Sequence, residues 1–374
     1  MNPFVLKPYI SPELFCDRVE ESKRIIGAIK NGRPITLISH RRYGKTGLIS
    51  HVHHQLPKKY LKINIDVFDT NSDEDFAAKL ITYSVAALSK KKKSILQKAV
   101  SVFAQFKATL IVDPILGVPT IKVQFSNAPE AKLSLHTLFQ LLHETKYQIQ
   151  LAIDEFQQIA EYETTHIDAT LREAMQTNPN LHIIFSGSKK HILLYLFTDA
   201  RKPLFSSTEI MHLGKIPYPA YMDFIKDQFK KHDKEIDENQ IHHILEWTKM
   251  HTYYTQFFCN VLFQKVDQTT KEYDITDVKK EIFQSNKDTY LIYRNLLTAP
   301  QWGLLRAIAK EDVMRTPTGE AMRSNYNLGA GSTVSRSLES LLDKEMIYAN
   351  TLESETNYEV YDVFLSRWMQ EILP

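Results

Sequence analysis

Through residues 1–215, short apolar runs alternate with longer amphipathic stretches, a pattern that predicts strands and helices in turn. The strand-like runs are Ile35–Ile38, Leu61–Phe68, Ile149–Ile153, Leu181–Phe185 and Glu209–Leu213. Runs this short and this apolar suit strands buried on both faces of a parallel sheet. Helices are predicted between them at Lys45–His54, Ser72–Leu88, Leu133–Thr145 and Ile167–Thr177. Ser72 and the acids behind it form a helix-start signal, and Asn178-Pro179 closes the last of these helices. The alternation predicts an α/β layer fold. Residues 90–126 interrupt it. A four-lysine run, Lys90 to Lys93, leads into an amphipathic stretch at Ile95–Phe106. Two β-prone runs then flank a turn at Asp113–Pro119, which reads as an inserted hairpin.

Strand patterns vanish after Pro217. Helices are predicted at Tyr221–His232, Asp237–His251, Tyr254–Val266 and Ile275–Tyr293, so residues 216–295 read as an all-α domain. Residues 296–374 read as helices Gln301–Lys310, Thr318–Tyr326 and Ser332–Lys344, strands Met346–Leu352 and Tyr358–Val363, and a closing helix Phe364–Leu373. Three helices followed by a two-stranded ribbon is the layout of a winged helix-turn-helix. No repeat of fixed period is visible.

Composition narrows the class. The chain has 374 residues, 43% hydrophobic and 24% charged, which suits two or three globular domains. A net charge of +2 supplies no global field toward nucleic acid or membrane. Cys16 and Cys259 are the two cysteines, too few for a disulfide framework and in keeping with a reducing, cytoplasmic setting. The N-terminus lacks the basic-then-apolar layout of a signal peptide, and no apolar run is long enough to span a bilayer, so no membrane partner is expected.

Chemistry enters at Ser39-His40-Arg41-Arg42-Tyr43-Gly44-Lys45-Thr46, directly after the first apolar run. The phosphate-binding pattern is G-x-x-x-x-G-K-[ST], and here Ser39 stands in the place of its first glycine. Backbone N–H groups from Ser39 to Gly47 would wrap the phosphates of a nucleotide. Lys45 would set its ammonium near the outer phosphates, and the Thr46 hydroxyl would bind Mg²⁺. The helix beginning at Lys45 would aim its positive end at the same ligand. A second motif, Leu151-Ala-Ile-Asp154-Glu155, is an apolar strand ending in two acids. Asp154 would serve the Mg²⁺ shell, and Glu155 would polarise a water toward the γ-phosphate. A third strand ends in Ser186-Gly187-Ser188. A hydroxyl there could sense the γ-phosphate or the attacking water; Ser186 is the first candidate and Ser188 the second.

Together these segments resemble the archaeal-type ATPases, a branch of the AAA-related and STAND P-loop NTPases distantly similar to origin-recognition ATPases. Phe15-Cys-Asp17-Arg18-Val-Glu20 looks like the family's F-x-G-R-x-x-E motif. The loop from Ser39 to Thr46 is similar to its R-R-x-G-K-T loop, Asp154-Glu155-Phe156-Gln157 to its D-E-F-Q box, and Ser186-Gly187-Ser188 to its S-G-S strand. His251-Thr252-Tyr253-Tyr254-Thr255-Gln256 resembles its H-P-Y-Y-T-Q motif. The resemblance spans nearly the whole chain. It implies an ATP/ADP ligand with Mg²⁺, a helical lid over residues 216–295, and a C-terminal winged helix. It also implies that Phe15 and Arg18 lie against adenine and ribose, and that His251 and Tyr253 close over the base or sugar. Arg41 and Arg42 could line the phosphate rim. Arg201 could act as an arginine finger or stand as a solvated loop arginine. Three positions depart from the family: Asp17 and Ser39 replace glycines, and Thr252 replaces a proline.

The output is less defined. From Gln301 to Pro374, seven basic side chains face eleven acids, leaving this stretch four charges negative. The recognition-helix candidate carries Arg336 but also Glu339 and Asp343, and the wing carries Glu353 and Glu355 without a base. Phosphate neutralisation supplies much of DNA affinity, so docking onto the ATPase core or onto a protein partner is the better expectation than DNA. The favoured reading is a Mg-ATP-binding P-loop ATPase that hydrolyses slowly and works as a switch. The alternatives are a DNA-binding or replication-linked regulator, and a nucleotide-kinase or sulfotransferase-like transferase on the same loop.

Overall fold

The computed structural model describes residues 1–6, 9–91, 93–115, 117–266, 274–352 and 355–373. Lys92 of the lysine run and Glu353 of the wing lie outside the described residues. The chain divides into two compact units, residues 7–214 and residues 1–6 with 215–374.

The first unit runs α1 (Val19–Lys30), β1 (Ile35–Ile38), α2 (Lys45–Gln55), β2 (Tyr60–Asp66), α3 (Asp73–Lys91) and α4 (Lys93–Val102). It continues through β3 (Thr109–Val112), β4 (Pro119–Lys122), α5 (Ala128–Glu144), β5 (Gln148–Asp154), α6 (Ile167–Thr177), β6 (Leu181–Gly187), α7 (Lys190–Thr198) and β7 (Glu209–His212). Five strands form a parallel sheet in the order β2-β5-β6-β1-β7. The strands β1 and β5, which carry the two strongest motifs, are therefore separated by β6.

Both faces are covered. Ile149, Leu151 and Ile153 of β5 enter one core with Leu80 of α3 and Leu138 of α5, whereas Ala152 enters the other with Ile25 of α1 and Val52 of α2. Two-sided burial is why the central strands β1, β5 and β6 read as near-continuous apolar runs. The hairpin is present as expected, with β3 and β4 antiparallel. It is fastened to α3 by Thr120 Oγ1 donating to the Thr82 carbonyl at 2.6 Å and Ser89 Oγ donating to the Pro119 carbonyl at 2.9 Å.

The second unit holds α8 (Tyr218–Lys230), α9 (Glu238–Trp247), α10 (Thr252–Lys265) and α11 (Ile275–Leu296). It then holds α12 (Ala299–Glu311), α13 (Glu320–Asn325), α14 (Gly331–Asp343), the antiparallel ribbon β8 (Ile347–Leu352) and β9 (Glu355–Val360), and α15 (Val363–Glu371). Capping boxes at Asp237 and Thr298 open α9 and α12. Residues 216–295 and 296–374, read as separate domains from the sequence, share this one unit. Phe364 of α15 packs edge-on against Tyr254 of α10, and Trp247 Nε1 donates to Glu371 at 2.6 Å. Arg367 Nε donates to the Trp247 carbonyl at 2.7 Å. Phe4 joins the same unit through ring contacts with Phe224, Phe229 and Phe263, although the sequence reading had grouped residues 1–6 with the α/β domain.

Candidate nucleotide-binding site

The loop between β1 and α2 takes its shape from two left-handed residues, Arg42 (φ 63°) and Gly44 (φ 93°). Alternation of right- and left-handed backbone turns successive N–H groups toward one concavity, which is an anion cradle. Ser39 is not among the left-handed residues, so a serine replaces the pattern's glycine there without strain. It is buried, and its hydroxyl donates to the His40 carbonyl at 2.9 Å. The Tyr43 ring is buried with the His40 ring 5.6 Å away, while Arg41 is half-buried and Arg42 exposed.

Lys45 opens α2 with its side chain turned inward. It is 6% exposed and its ammonium reaches the Ser39 carbonyl at 3.5 Å. Burial lowers its pKa, opposed by the nearby Glu155 and Asp154 carboxylates and reinforced by Arg41. A buried cation at the start of α2 is what a polyphosphate would neutralise.

The acids meet this loop across the sheet. Thr46 Oγ1 donates to Asp154 Oδ2 at 2.6 Å, although the two residues are 108 positions apart. Ser186 Oγ, fully buried at the end of β6, donates to Asp154 Oδ1 at 2.7 Å. The Glu155 N–H donates to the same oxygen at 3.1 Å. Asp154 is thereby held by three donors from three elements. Glu155 is left-handed (φ 54°), which swings its side chain away from the strand; its Oε2 accepts from Gln157 Nε2 at 2.5 Å and Ser188 Oγ at 2.9 Å.

Thr46 and Asp154 fit a magnesium ion in kind, because they pair a hydroxyl with a carboxylate, both hard oxygen donors, at the mouth of the loop. Among the described residues, no group of three or more His, Cys, Asp or Glu side chains is gathered to hold a metal by itself. Such a site would be completed by ligand oxygens and water.

Sequence reasoning missed Asp66. Strand register places it directly beside Asp154, at the end of β2. Burial raises its pKa; its bond from the Phe68 N–H opposes this, and Asp154 and Glu155 add to it. The signal was a strand ending in an acid, but only the pairing of β2 with β5 makes it a neighbour.

The segment before α1 also lies in this unit. Asp17 (φ 55°) and Arg18 (φ 65°) are both left-handed, which explains why a glycine suits the first position and why aspartate, which tolerates this region, can stand in. Arg18 is 3% exposed and clamps the Gly214 carbonyl at 2.7 Å and Glu21 at 2.9 Å. Phe15 stacks on His51 of α2, with ring centroids 4.3 Å apart and planes 21° apart. A Cβ on Gly47 would come within 3.5 Å of the Phe15 ring, so this segment lies on the first turn of α2. His51, a second residue the sequence did not single out, accepts or donates at 3.1 Å with Tyr9.

His251 and Tyr253 belong to the other compact unit. His251 is buried and N-caps α10, its ring edge-on to Tyr254 at 4.6 Å. Thr252 occupies the first helical position, where the family's proline would lose no hydrogen bond, so threonine costs the turn little. Tyr253 rests 5.3 Å from Tyr254 and 6.1 Å from Phe257. Arg201 stands on the loop after α7 with its side chain 81% exposed, clasped by Asp199 through two contacts of 3.0 and 2.6 Å.

Comparison with known proteins agrees with this architecture. Residues 288–371 match the family described as "Probable winged helix domain". A Walker-type ATPase of Pyrococcus abyssi superposes with a TM-score of 0.67 at 20% identity, covering 98% of this chain and 99% of that one. The Aeropyrum pernix ORC2 protein, solved with ADPNP and ADP, gives 0.54 at 10% identity over 100% and 96%. The A. pernix ORC1 protein in complex with DNA gives 0.50 at 10% identity over 99% and 96%. No curated protein matches by sequence. The chain thus has the P-loop ATPase fold, a five-stranded parallel sheet flanked by helices, followed by a helical segment and a C-terminal winged helix. This is the architecture that the motif resemblance to archaeal-type ATPases implied.

Proposed function

We propose that the protein binds Mg-ATP in the loop between β1 and α2 and hydrolyses it slowly to ADP and phosphate. The observation that carries this reading is the convergence of Lys45, Thr46, Asp154, Glu155 and Ser186 from three strand ends. The loop N–H groups from Ser39 to Gly47 and the Lys45 ammonium hold the phosphates. Thr46 and Asp154 would hold magnesium, whose charge would offset that on the phosphate oxygens. Glu155 accepts a proton from the attacking water as its oxygen bonds to the γ-phosphorus and the bond to the β-phosphate oxygen breaks. Ser186 fixes Asp154 and so reports on the metal's carboxylate. Phe15, Arg18 and the Tyr9–His51 pair form the base and ribose side. Arg41 and Arg42 line the rim. Hydrolysis state then biases the helical segment and winged helix toward a protein partner, as a nucleotide-dependent switch.

The test is γ-phosphate release by the wild type and by Glu155→Gln, with nucleotide occupancy measured in parallel. Both proteins should bind ATP, and turnover should be lost in the variant. Equal background rates with no nucleotide retained would refute it.

A DNA-linked role is the second reading, favoured by the winged helix and by the DNA-bound A. pernix ORC1 neighbour. Charge opposes it: on α14 the exposed Arg336 stands beside exposed Glu339 and Asp343. Titration of duplex DNA at low and high salt decides it. No measurable affinity is expected even at low salt.

A further inference from the structure

We infer that Gln157 and Ser188 are positioning residues that clamp one oxygen of Glu155 and leave the other to face the attacking water; this rests on the reading of Glu155 as the general base. Glu155 lies outside β5 in a left-handed turn, so the strand does not fix its side chain. Its orientation is set instead by two donors from different elements. Gln157 Nε2 donates to Oε2 at 2.5 Å from the 3-10 turn Phe156–Glu161, and Ser188 Oγ donates to the same oxygen at 2.9 Å from the end of β6. Both bonds converge on Oε2.

Gln157 is itself fixed. It is 4% exposed, and its neighbours pin the turn: Phe156 packs against Phe185 at 4.6 Å, and Gln158 bonds through its N–H to the Glu155 carbonyl at 2.9 Å and through its side chain to the Thr70 carbonyl at 3.2 Å. Gln157 Oε1 lies against Gly187. A Cβ at that glycine would fall inside the contact radius of Oε1, so the glutamine can fold over β6 only because residue 187 has no side chain. Oε1 is buried without a hydrogen-bond partner. A buried acceptor left unsatisfied is costly, and packing alone would favour methionine here. What the glutamine supplies in return is the amide donor to Glu155. The same geometry assigns the glycine of Ser186-Gly187-Ser188 a purpose that no hydrogen bond of its own reveals.

The experiment is single-turnover γ-phosphate release from the full chain saturated with Mg-ATP, using Gln157→Met, Ser188→Ala and Ser188→Thr in wild-type and Glu155→Gln backgrounds. Loss of one bond to the carboxylate is expected to slow release about tenfold, with KM changed less than about twofold. Ser188→Thr keeps the hydroxyl and should recover most of the turnover that Ser188→Ala loses. In the Glu155→Gln background neither Gln157→Met nor Ser188→Ala should slow release further, because both act through Glu155. Unchanged or faster release by Gln157→Met and Ser188→Ala would overturn the clamp, as would the same tenfold loss in the Glu155→Gln background. If Glu155→Gln itself turns over like wild type, the general-base reading fails first, and that outcome is distinct. Because the two donors sit on different elements, Ser188→Ala still tests the clamp should Gln157→Met not fold.

Discussion

At the ends of β1, β5 and β6, polar side chains converge: Lys45 is buried, Asp154 accepts three hydrogen bonds, and Glu155 accepts two on a single oxygen. On the winged helix, the exposed face of α14 carries Arg336, Glu339 and Asp343 with the signs mixed. The ordered polar contacts of that second unit lie elsewhere, where α15 meets α9. There Trp247, Glu371 and Arg367 bond to one another's backbones and side chains, and Lys249 bridges Asp312 at 2.9 Å and Glu359 at 3.3 Å. The first region concentrates groups that would serve a small charged ligand. The second uses its polar groups to fasten a winged helix to a helical bundle. A winged helix by fold need not be a reader of DNA, and the charges decide which surface is built for what.

The largest effect expected from breaking this contrast is at Glu155. Glu155→Gln should lower turnover by roughly 10²–10⁴-fold while ATP still binds, as checked by phosphate release beside nucleotide retention. A change of about 3–5 kcal/mol in stability is expected for Trp247→Ala, which removes ring contacts to Phe258, Phe283 and Phe364 and the bond to Glu371. Denaturant unfolding would measure it, and the loss should fall on the second unit while ATP binding by the first persists.

Lys45 gives a smaller effect of opposite sign. Its folded pKa is lowered by burial, so the ligand-free fold carries a cost that is full below the folded pKa and disappears as pH rises toward the ordinary value of 10.5. Lys45→Met should therefore raise the melting temperature of ligand-free protein at neutral pH, and the gap to wild type should narrow at alkaline pH. Thermal melts at several pH values check both signs. The smallest effect is at Arg201, already satisfied by Asp199: Arg201→Ala should change the basal turnover of the isolated chain by less than about twofold.

Much of this was legible in the chain. The central strands β1, β5 and β6 follow from apolar runs that two-sided burial demands, whereas the edge strands β2 and β7 mix apolar with polar residues, and Ile167–Thr177 matches α6 residue for residue. The hairpin followed from its turn chemistry. α7 was missed because His191 to Phe197 is a nearly unbroken apolar run, which periodicity cannot separate from a strand; burial of Leu193, Leu196 and Phe197 reveals the helical spacing. α1 was missed behind the motif that precedes it.

At the site, Lys45, Thr46, Asp154, Glu155 and Ser186 were readable from local patterns. Asp66, His51 and the Gln157–Gly187 contact were not, because each acquires meaning from a neighbour across the sheet or along α2. The glycine departures also needed backbone angles. Asp17 does occupy a left-handed position, whereas Ser39 does not, so two substitutions that look alike in sequence differ in consequence.

The most direct test of the central claim is calorimetric titration of Mg-ATP into the wild type and Lys45→Ala. One saturable site per chain is expected in the wild type, and an affinity weakened on the order of 10²-fold in the variant. Identical titration curves for the two proteins would contradict it.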